Sequence, residues 1–427
     1  MEVRQCRICG NTELESILNL GSQALTGVFP ASLDAAVPVG PLELVKCSED
    51  RPDRHCGLVQ LRHRYDPETM YGHGYGYRSG LNGSMVSHLQ SKARWIRSEV
   101  ALEPGDLVLD IGSNDGTLLS AMQTPGVTLA GMDPTAEKFR RFYPPDAIVI
   151  ADFFSAARFR QRFGRRKAKV ITSIAMFYDL DAPLEFMREV AEVLSEDGIW
   201  VVEQSYLPSM LAKASYDTVC HEHQEYYALR QMQWLSWRAG FKILDVELND
   251  INGGSFSIVI AKSASKRRVN EAALGAVADR ESRLGLAGLQ VYRDFADRVA
   301  RHRDELRKAL GRLRERGATV LGYGASTKGN VILQYCGITA HELPCIADVN
   351  PDKFGCYTPG TYIPIVSEAE AHLAKPDAFL VLPWHFRQNI IEREGAFLAL
   401  GGSLIFPLPS YEEVALARSA RAARLPS

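Results

Sequence analysis

The sequence predicts an α/β protein in which two mostly parallel sheets follow one another behind a small cysteine-rich module. Three observations carry that expectation. Between about residues 85 and 265, short apolar runs alternate with amphipathic stretches, the rhythm of strands joined by crossover helices. The rhythm restarts at Ala318-Thr-Val-Leu-Gly-Tyr-Gly324, a strand running into a glycine-rich turn. Ahead of both, residues 1–65 hold four of the eight cysteines, many turn formers and few helical periods.

Each element has its reason. A chain of 427 residues exceeds one ordinary core and predicts two or three domains. Residues 1–65 are short of the apolar surface needed to fold unaided. Residues 66–265 carry candidate strands at Leu107–Ile111, Thr128–Met132, Val170–Ile174, Gly198–Glu203 and Phe256–Ala261. Residues 266–317 read as a helical connector of one or two long helices. Leu289, Tyr292, Phe295, Val299, Leu306 and Leu310 form its apolar stripe, used for packing. Residues 318–427 form the second α/β domain, with further strands at Leu343–Asp348, Ala378–Leu382 and Ser403–Phe406. The Ala- and Arg-rich stretch from Val414 to Ser427 reads as a frayed helix.

Composition excludes several classes of function. With 46% hydrophobic and 23% charged residues the chain is globular, and a net charge of −2 gives no pull on nucleic acid or an anionic membrane. No run approaches the roughly 18 apolar residues of a membrane span. Met-Glu-Val-Arg-Gln-Cys at the start lacks the apolar core of a signal peptide. A cytoplasmic setting is expected, with cysteines as thiols or thiolates rather than disulfides.

The chemistry lies in four motifs. Cys6-Arg-Ile-Cys9-Gly10 is a thiolate knuckle whose two sulfurs can grip one metal, and Cys47 with Cys56-Gly57 could complete a structural zinc site of four thiolates. Eight residues separate that second pair, wider than usual, so one hairpin would carry an insertion; the bland alternative is four unligated small hydrophobes. Val108-Leu-Asp110-Ile-Gly112-Ser-Asn114-Asp115-Gly116 leaves a strand and opens a helix. It is not the pyrophosphate-binding G-x-G-x-x-G; its glycines bracket polar residues and leave room for an amino-acid moiety. Asp110 would meet a methionine ammonium. Asp133, before Pro134 at the end of the next strand, would hold a ribose diol, and Asp152-Phe153-Phe154 would receive an adenine. Three stations in that order point to S-adenosylmethionine; the alternative is a generic α/β turn with capping Asp and Asn.

The run Tyr216-Asp-Thr-Val-Cys-His-Glu-His-Gln-Glu-Tyr-Tyr227 packs three proton carriers together. His221 reads as a satisfied core histidine. His223, beside Glu222, reads as a general base, since imidazole titrates near neutrality and a carboxylate can orient it. Asn252-Gly253-Gly254 is a tight turn where backbone can approach a ligand, or an ordinary hairpin. Gly322-Tyr-Gly324-Ala-Ser-Thr-Lys328-Gly-Asn330 opens a helix whose N-terminus attracts an anion, or is a structural strand–helix turn.

These motifs, with Cys56-Gly-Leu-Val-Gln60, Tyr77-Arg-Ser79, Tyr216-Asp-Thr218, Thr358-Pro-Gly360, Ile363-Pro364 and Pro383-Trp384, give the chain a resemblance over nearly its whole length. It resembles the S-adenosylmethionine-dependent sugar C-methyltransferases that act on nucleotide-linked 4-keto-deoxysugars. The resemblance implies a zinc-binding N-terminal module, a central Rossmann-like class I methyltransferase domain and a C-terminal Rossmann-like domain that helps to bind the sugar nucleotide. It further implies that His223, supported by Glu222, deprotonates the carbon beside the ketone, C3, with Tyr77 near the reacting carbon. Tyr227, Asn252, Gly253, Lys328 and Asn330 are then expected at the substrate. Two positions depart from the pattern: Met176, where many relatives carry histidine, and Cys220, often tyrosine. Both are expected to face the substrate, and Tyr178 or Tyr206 is the hydroxyl offered in exchange. Two rival readings stand beside C-methylation. One is O- or N-methylation of a saccharide; the other is a non-catalytic, zinc-dependent binding subunit with a relict cofactor site.

Overall fold

The computed structural model describes residues 1–51, 53–66, 70 and 77–416. They fall into two compact units. The first comprises Met1–Asn19, Glu43–Leu211 and His221–Arg293; the second comprises Leu20–Leu42, Ala212–Cys220 and the described residues from Asp294 on.

A four-stranded sheet runs in the order β1 (Leu14–Ala24), β2 (Val39–Cys47), β3 (Val59–Leu61), β9 (Glu225–Tyr226). Its last strand comes from far down the sequence: Val59 pairs with Tyr226 and Gln60 with Glu225, antiparallel. The larger sheet of the first unit has seven strands. They are β4 (Leu107–Ile111), β5 (Thr128–Met132), β6 (Ile148–Ile150), β7 (Ala168–Ile174), β8 (Leu194–Ser205), β10 (Phe241–Asn249) and β11 (Ser255–Lys262), in the order β10-β11-β8-β7-β4-β5-β6. From β6 to β8 the pairs are parallel, while β11 runs antiparallel to both β8 and β10.

Such central strands are covered on both faces, so they read as near-continuous apolar runs; every residue of β4 is buried. The chain builds outward from β4 to β5 and β6, then returns to lay β7 on the other side. A crevice therefore opens beyond the carboxyl ends of β4 and β7, the position where such sheets hold ligands.

All five strands expected here are present, and two were not foreseen. β6 is a three-residue edge strand of half-buried side chains. β10 carries a register shift between Ile243 and Asp245, which breaks its alternation of apolar and polar residues.

In the second unit, β12 (Val320–Tyr323), β13 (Ile346–Asp348), β14 (Ile365–Ser367), β15 (Ala378–Val381), β16 (Ser403–Phe406) and β17 (Glu412–Ala415) form a six-stranded sheet. Its order is β14-β13-β12-β15-β16-β17, parallel except for β17. The expectation of a helix from Val414 is corrected at its start: Val414 pairs with Leu404 and Ala415 with Ser403. An edge strand with outward side chains needs only backbone partners and leaves no apolar signal. The rest of that stretch, 417–427, lies outside the described residues. The connector is two helices, Glu271–Leu284 and Gln290–Glu315, and its stripe from Tyr292 to Leu310 is buried. Within the second unit the Gln334 carboxamide pairs with both backbone groups of Ala24, and Asn330 Nδ2 donates to Thr26 O at 2.7 Å. Among the described residues no helix is long and apolar enough to cross a membrane.

Candidate active site

Strand β4 carries Asp110 to the crevice. Thr172, its neighbour in register on β7, donates from Oγ1 to Asp110 Oδ1 at 2.6 Å. Burial pushes the Asp110 carboxyl up to about 7, Asp133 adds to the rise, and the threonine hydroxyl opposes it. The chain then turns through Gly112, at φ +74°, where a Cβ would stand 2.9 Å from Met176 Cγ. At Gly116, also φ +74°, a Cβ would lie 2.8 Å from the Tyr143 ring. Both positions need glycine for conformation and for space. Asp133 closes the turn from β5, its Oδ2 accepting from Asn114 N at 2.9 Å and its Oδ1 from Thr135 N and Oγ1.

Asp110, Gly112, Asn114, Asp133 and Thr135 line a cleft of about 300 Å3. Of the predicted donor-site residues, Asp110, Gly112, Asn114, Asp133, Pro134, Phe153 and Phe154 line it, whereas Asp115, Gly116 and Asp152 do not. The structure gives those three other partners. Asp115 accepts from Gly80 N at 2.9 Å and from Thr117, and faces Arg78. Gly116 packs against Tyr143, and Asp152 pairs with Arg158. Asn114 accepts from Ser79 N and donates to Tyr77 O. Asn114 and Asp115 thus pin residues 77–80 to the mouth of the cleft, where Tyr77 stands half exposed.

One residue of the proton-carrying run, Gln224, reaches the same cleft. His221 is fully buried, edge-on to Tyr65 at 4.6 Å between ring centres, and Glu222 is buried beside it. His223 is half-buried, with its ring edge-on to Tyr178 at 4.3 Å. The next residue, Gln224, lines the cleft, as do Tyr65, Asp179 and Met176. Tyr227 lies in the core against Phe177, its hydroxyl without a hydrogen-bond partner among the described residues. Asn252 and Gly253 form the positive-φ turn before β11 and do not line the cleft. Met176 lines the cleft, and Cys220 is fully buried. Tyr206 is committed elsewhere, donating to Glu281 at 2.9 Å.

In the second unit Lys328 begins the helix Thr327–Cys336, capped by Ser326. Burial lowers its pKa and Asp217 opposes the fall. Asp217 is itself buried and raised by desolvation, and accepts from Trp384 Nε1 at 2.8 Å. Asn330 is committed to Thr26.

The four N-terminal cysteines converge. Cys6 and Cys56 sulfurs are 3.4 Å apart, Cys9 and Cys47 sulfurs 3.5 Å, and all four lie within 4.8 Å of one another. Tetrahedral zinc with bonds of about 2.3 Å holds its sulfurs about 3.8 Å apart, so the cluster fits the ion. Gly10 and Gly57 take positive φ directly after Cys9 and Cys56, as knuckle turns require. Four cysteines leave no open coordination position, so the site is structural.

Comparison with known proteins follows this geometry. Family profiles match in series: a zinc binding domain over residues 6–71, a methyltransferase domain over 85–246 and a C-methyltransferase C-terminal domain over 250–409. The C-methyltransferase NovU of Streptomyces niveus is 32% identical over 410 residues, 95% of this chain and 96% of that protein. The chain belongs to the C-methyltransferase family. Two solved structures align over part of it. A Haloferax volcanii complex of the Trm112 methyltransferase activator with a methyltransferase aligns over 43% of this chain and 94% of that chain, at 15% identity and a TM-score of 0.36. The plantazolicin methyltransferase BpumL with SAH aligns over 41% and 82%, at 15% and 0.33. As a family member the protein is an S-adenosylmethionine-dependent C-methyltransferase with a small-molecule substrate and a structural zinc, which sets aside the two rival readings. Its seven-stranded order with the reversed β11 is the class I methyltransferase arrangement.

Several residues that build the site were not read from the sequence. Thr172 acts across strands and Tyr143 from the loop between β5 and β6, and only the fold brings them to Asp110 and Gly116. Gln224 carried a usable signal, standing directly after Glu222-His223.

Proposed function

We propose that the substrate is a nucleotide-linked 4-keto-deoxysugar, methylated at C3, with His223 as the base. The observation that carries this reading is an imidazole beside the donor cleft: His223 rests on Tyr178 one residue before cleft-lining Gln224. A carbon atom becomes a nucleophile near neutral pH when a neighbouring carbonyl acidifies its C–H bond and an imidazole takes the proton. A keto sugar offers such a carbon; a hydroxyl or amine acceptor would not call for C-methylation.

Asp110, Asp133 and the two phenylalanines would hold S-adenosylmethionine, which supplies an electrophilic methyl group on a sulfonium. The remaining work falls to the chain. Gly112 admits the amino-acid end, and Asp110 offers it a carboxylate that burial leaves short of a cation. Tyr77, held over the mouth through Asn114, would donate to the keto oxygen as charge grows there. Glu222 would orient His223.

The test uses a panel of nucleotide-linked 4-keto sugars and methyl-labelled donor. A carbon-bound methyl signal by NMR is expected with at least one of them, together with exchange of the α-hydrogen in deuterium oxide. His223→Ala should lower both by about 100-fold or more while SAH affinity stays within about twofold. Exchange that persists undiminished in His223→Ala would remove His223 from the role.

A further inference from the structure

We propose that Gln224 is a substrate-contacting residue, and that Arg7 of the zinc knuckle is the positioning residue that fixes its carboxamide. The proposal rests on the keto-sugar reading above.

Gln224 is 2% exposed yet lines the cleft. Both of its backbone groups are used: N donates to Tyr178 O at 2.8 Å, and O accepts from Leu61 N at 2.9 Å. Its side chain is just as constrained. Arg7 Nη2 donates to Gln224 Oε1 at 2.7 Å. A guanidinium has only donors, so the oxygen must face Arg7 and the orientation of the amide is settled. The nitrogen, Nε2, gives one hydrogen to His221 O at 3.0 Å. An amide nitrogen carries two hydrogens, and the second is left for an acceptor in the cleft. A neutral donor held this rigidly suits an oxygen whose negative charge grows as the adjacent C–H bond loosens.

The rigidity originates at the metal site. Arg7 lies between Cys6 and Cys9, and its own side chain is 3% exposed. Its Nη1 donates to Leu61 O at 2.7 Å, and its backbone N donates to Gln60 Oε1 at 2.9 Å. Its Nε stands 3.6 Å from the fully buried carboxylate of Glu225. Every one of these partners lies on β3, on β9 or beside them. The knuckle therefore sets the guanidinium, the guanidinium sets the carboxamide, and Gln224 lines the cleft one residue past the proposed base.

Gln224→Leu tests the contact and Arg7→Lys the positioning, the lysine keeping a cation for Glu225. Wild type and variants are compared on the keto sugar that the wild type turns over, alongside zinc content, Tm and SAH affinity. Gln224→Leu is expected to keep zinc, Tm and SAH affinity near wild type and to lower kcat for methyl transfer and α-deuterium exchange by about 100-fold. Arg7→Lys should lower kcat on the order of 10-fold in the wild-type background and add nothing in Gln224→Leu, the non-additive pattern of groups acting in series. Unchanged kcat and KM in Gln224→Leu overturns the contact. Full additivity of the two substitutions, or an Arg7→Lys protein that loses zinc without that pattern, overturns the positioning role. A wild type that neither methylates nor exchanges any keto sugar overturns the keto-sugar reading, and this inference with it. That outcome is distinct from an active wild type matched by an active Gln224→Leu.

Discussion

Asp110 concentrates the electrostatics of the donor site into one carboxyl. Pushed up to about 7 by burial, it is largely protonated at pH 6 in the free protein, and in the role proposed for it, beside the ammonium of the donor, it would have to ionise. The folded pKa stands above the unfolded value of about 3.9. Its contribution to stability is therefore full below about pH 3.9 and is lost as pH rises through about 7. On that proposal donor binding would run the other way, since it would select the ionised form. SAH affinity is expected to fall, approaching tenfold per unit, as pH drops below about 7, with a proton released on binding. Titration calorimetry at pH 6 in two buffers of different ionisation heat reads that proton directly. Asp110→Asn should abolish the release and flatten the profile. The importance of Asp110 was legible because a carboxylate at the end of an apolar strand has no structural reason to be there. Thr172 was not legible, because its hydroxyl reaches Asp110 only once β4 and β7 are known to be neighbours. Asp152 stands apart from its two neighbours: Phe153 and Phe154 line the cleft, whereas Asp152 pairs with Arg158 six residues on, a partner that its motif does not announce.

Among elements, the turn between β4 and the helix Thr117–Ala121 is tightly constrained. It contains two positive-φ glycines and Asn114 at φ +48°. Gly112→Ala meets both the left-handed penalty of roughly 1–2 kcal/mol and the Met176 side chain. Gly240 has a similar φ of +78° with nothing within 4 Å of its missing Cβ. Gly112→Ala is therefore expected to weaken SAH binding by more than about 10-fold, whereas Gly240→Ala shows only the backbone cost of about 1 kcal/mol. Thermal melts and calorimetry on both variants separate the two effects. Elements packed on both faces were readable as apolar runs, as β4, β5 and β16 show by their unchanged bounds. In these two sheets the strands that escaped, β6, β10, β14 and β17, all lie at edges, where one side is left without a strand partner.

For the molecule as a whole, the four-cysteine cluster ties Cys6 and Cys9 to Cys47 and Cys56 across the N-terminal module. Chelation is expected to cost the first unit at least about 3 kcal/mol, a fall in Tm on the order of 10 °C. Methyl transfer should be lost in parallel and return when zinc is restored. Differential scanning calorimetry with metal analysis checks the fall, and a melting curve indifferent to chelator would contradict it. The order of the parts was readable because each announces itself with a different pattern: cysteine pairs, then two strand–glycine–helix openings. Discontinuity was not readable. Residues 20–42 and 212–220 join the second unit through contacts such as Ala24 with Gln334 and Asp217 with Trp384, and nothing local in those stretches declares it.

The two-residue strand Glu225–Tyr226 limits how this enzyme can be recombined. A chimera that exchanges only the cysteine-bearing stretch for that of a relative would graft a foreign β3 onto a native β9 and a foreign arginine onto a native glutamine. For the hybrid to fold and turn over, the segment from His221 to Gln231 must travel with its donor.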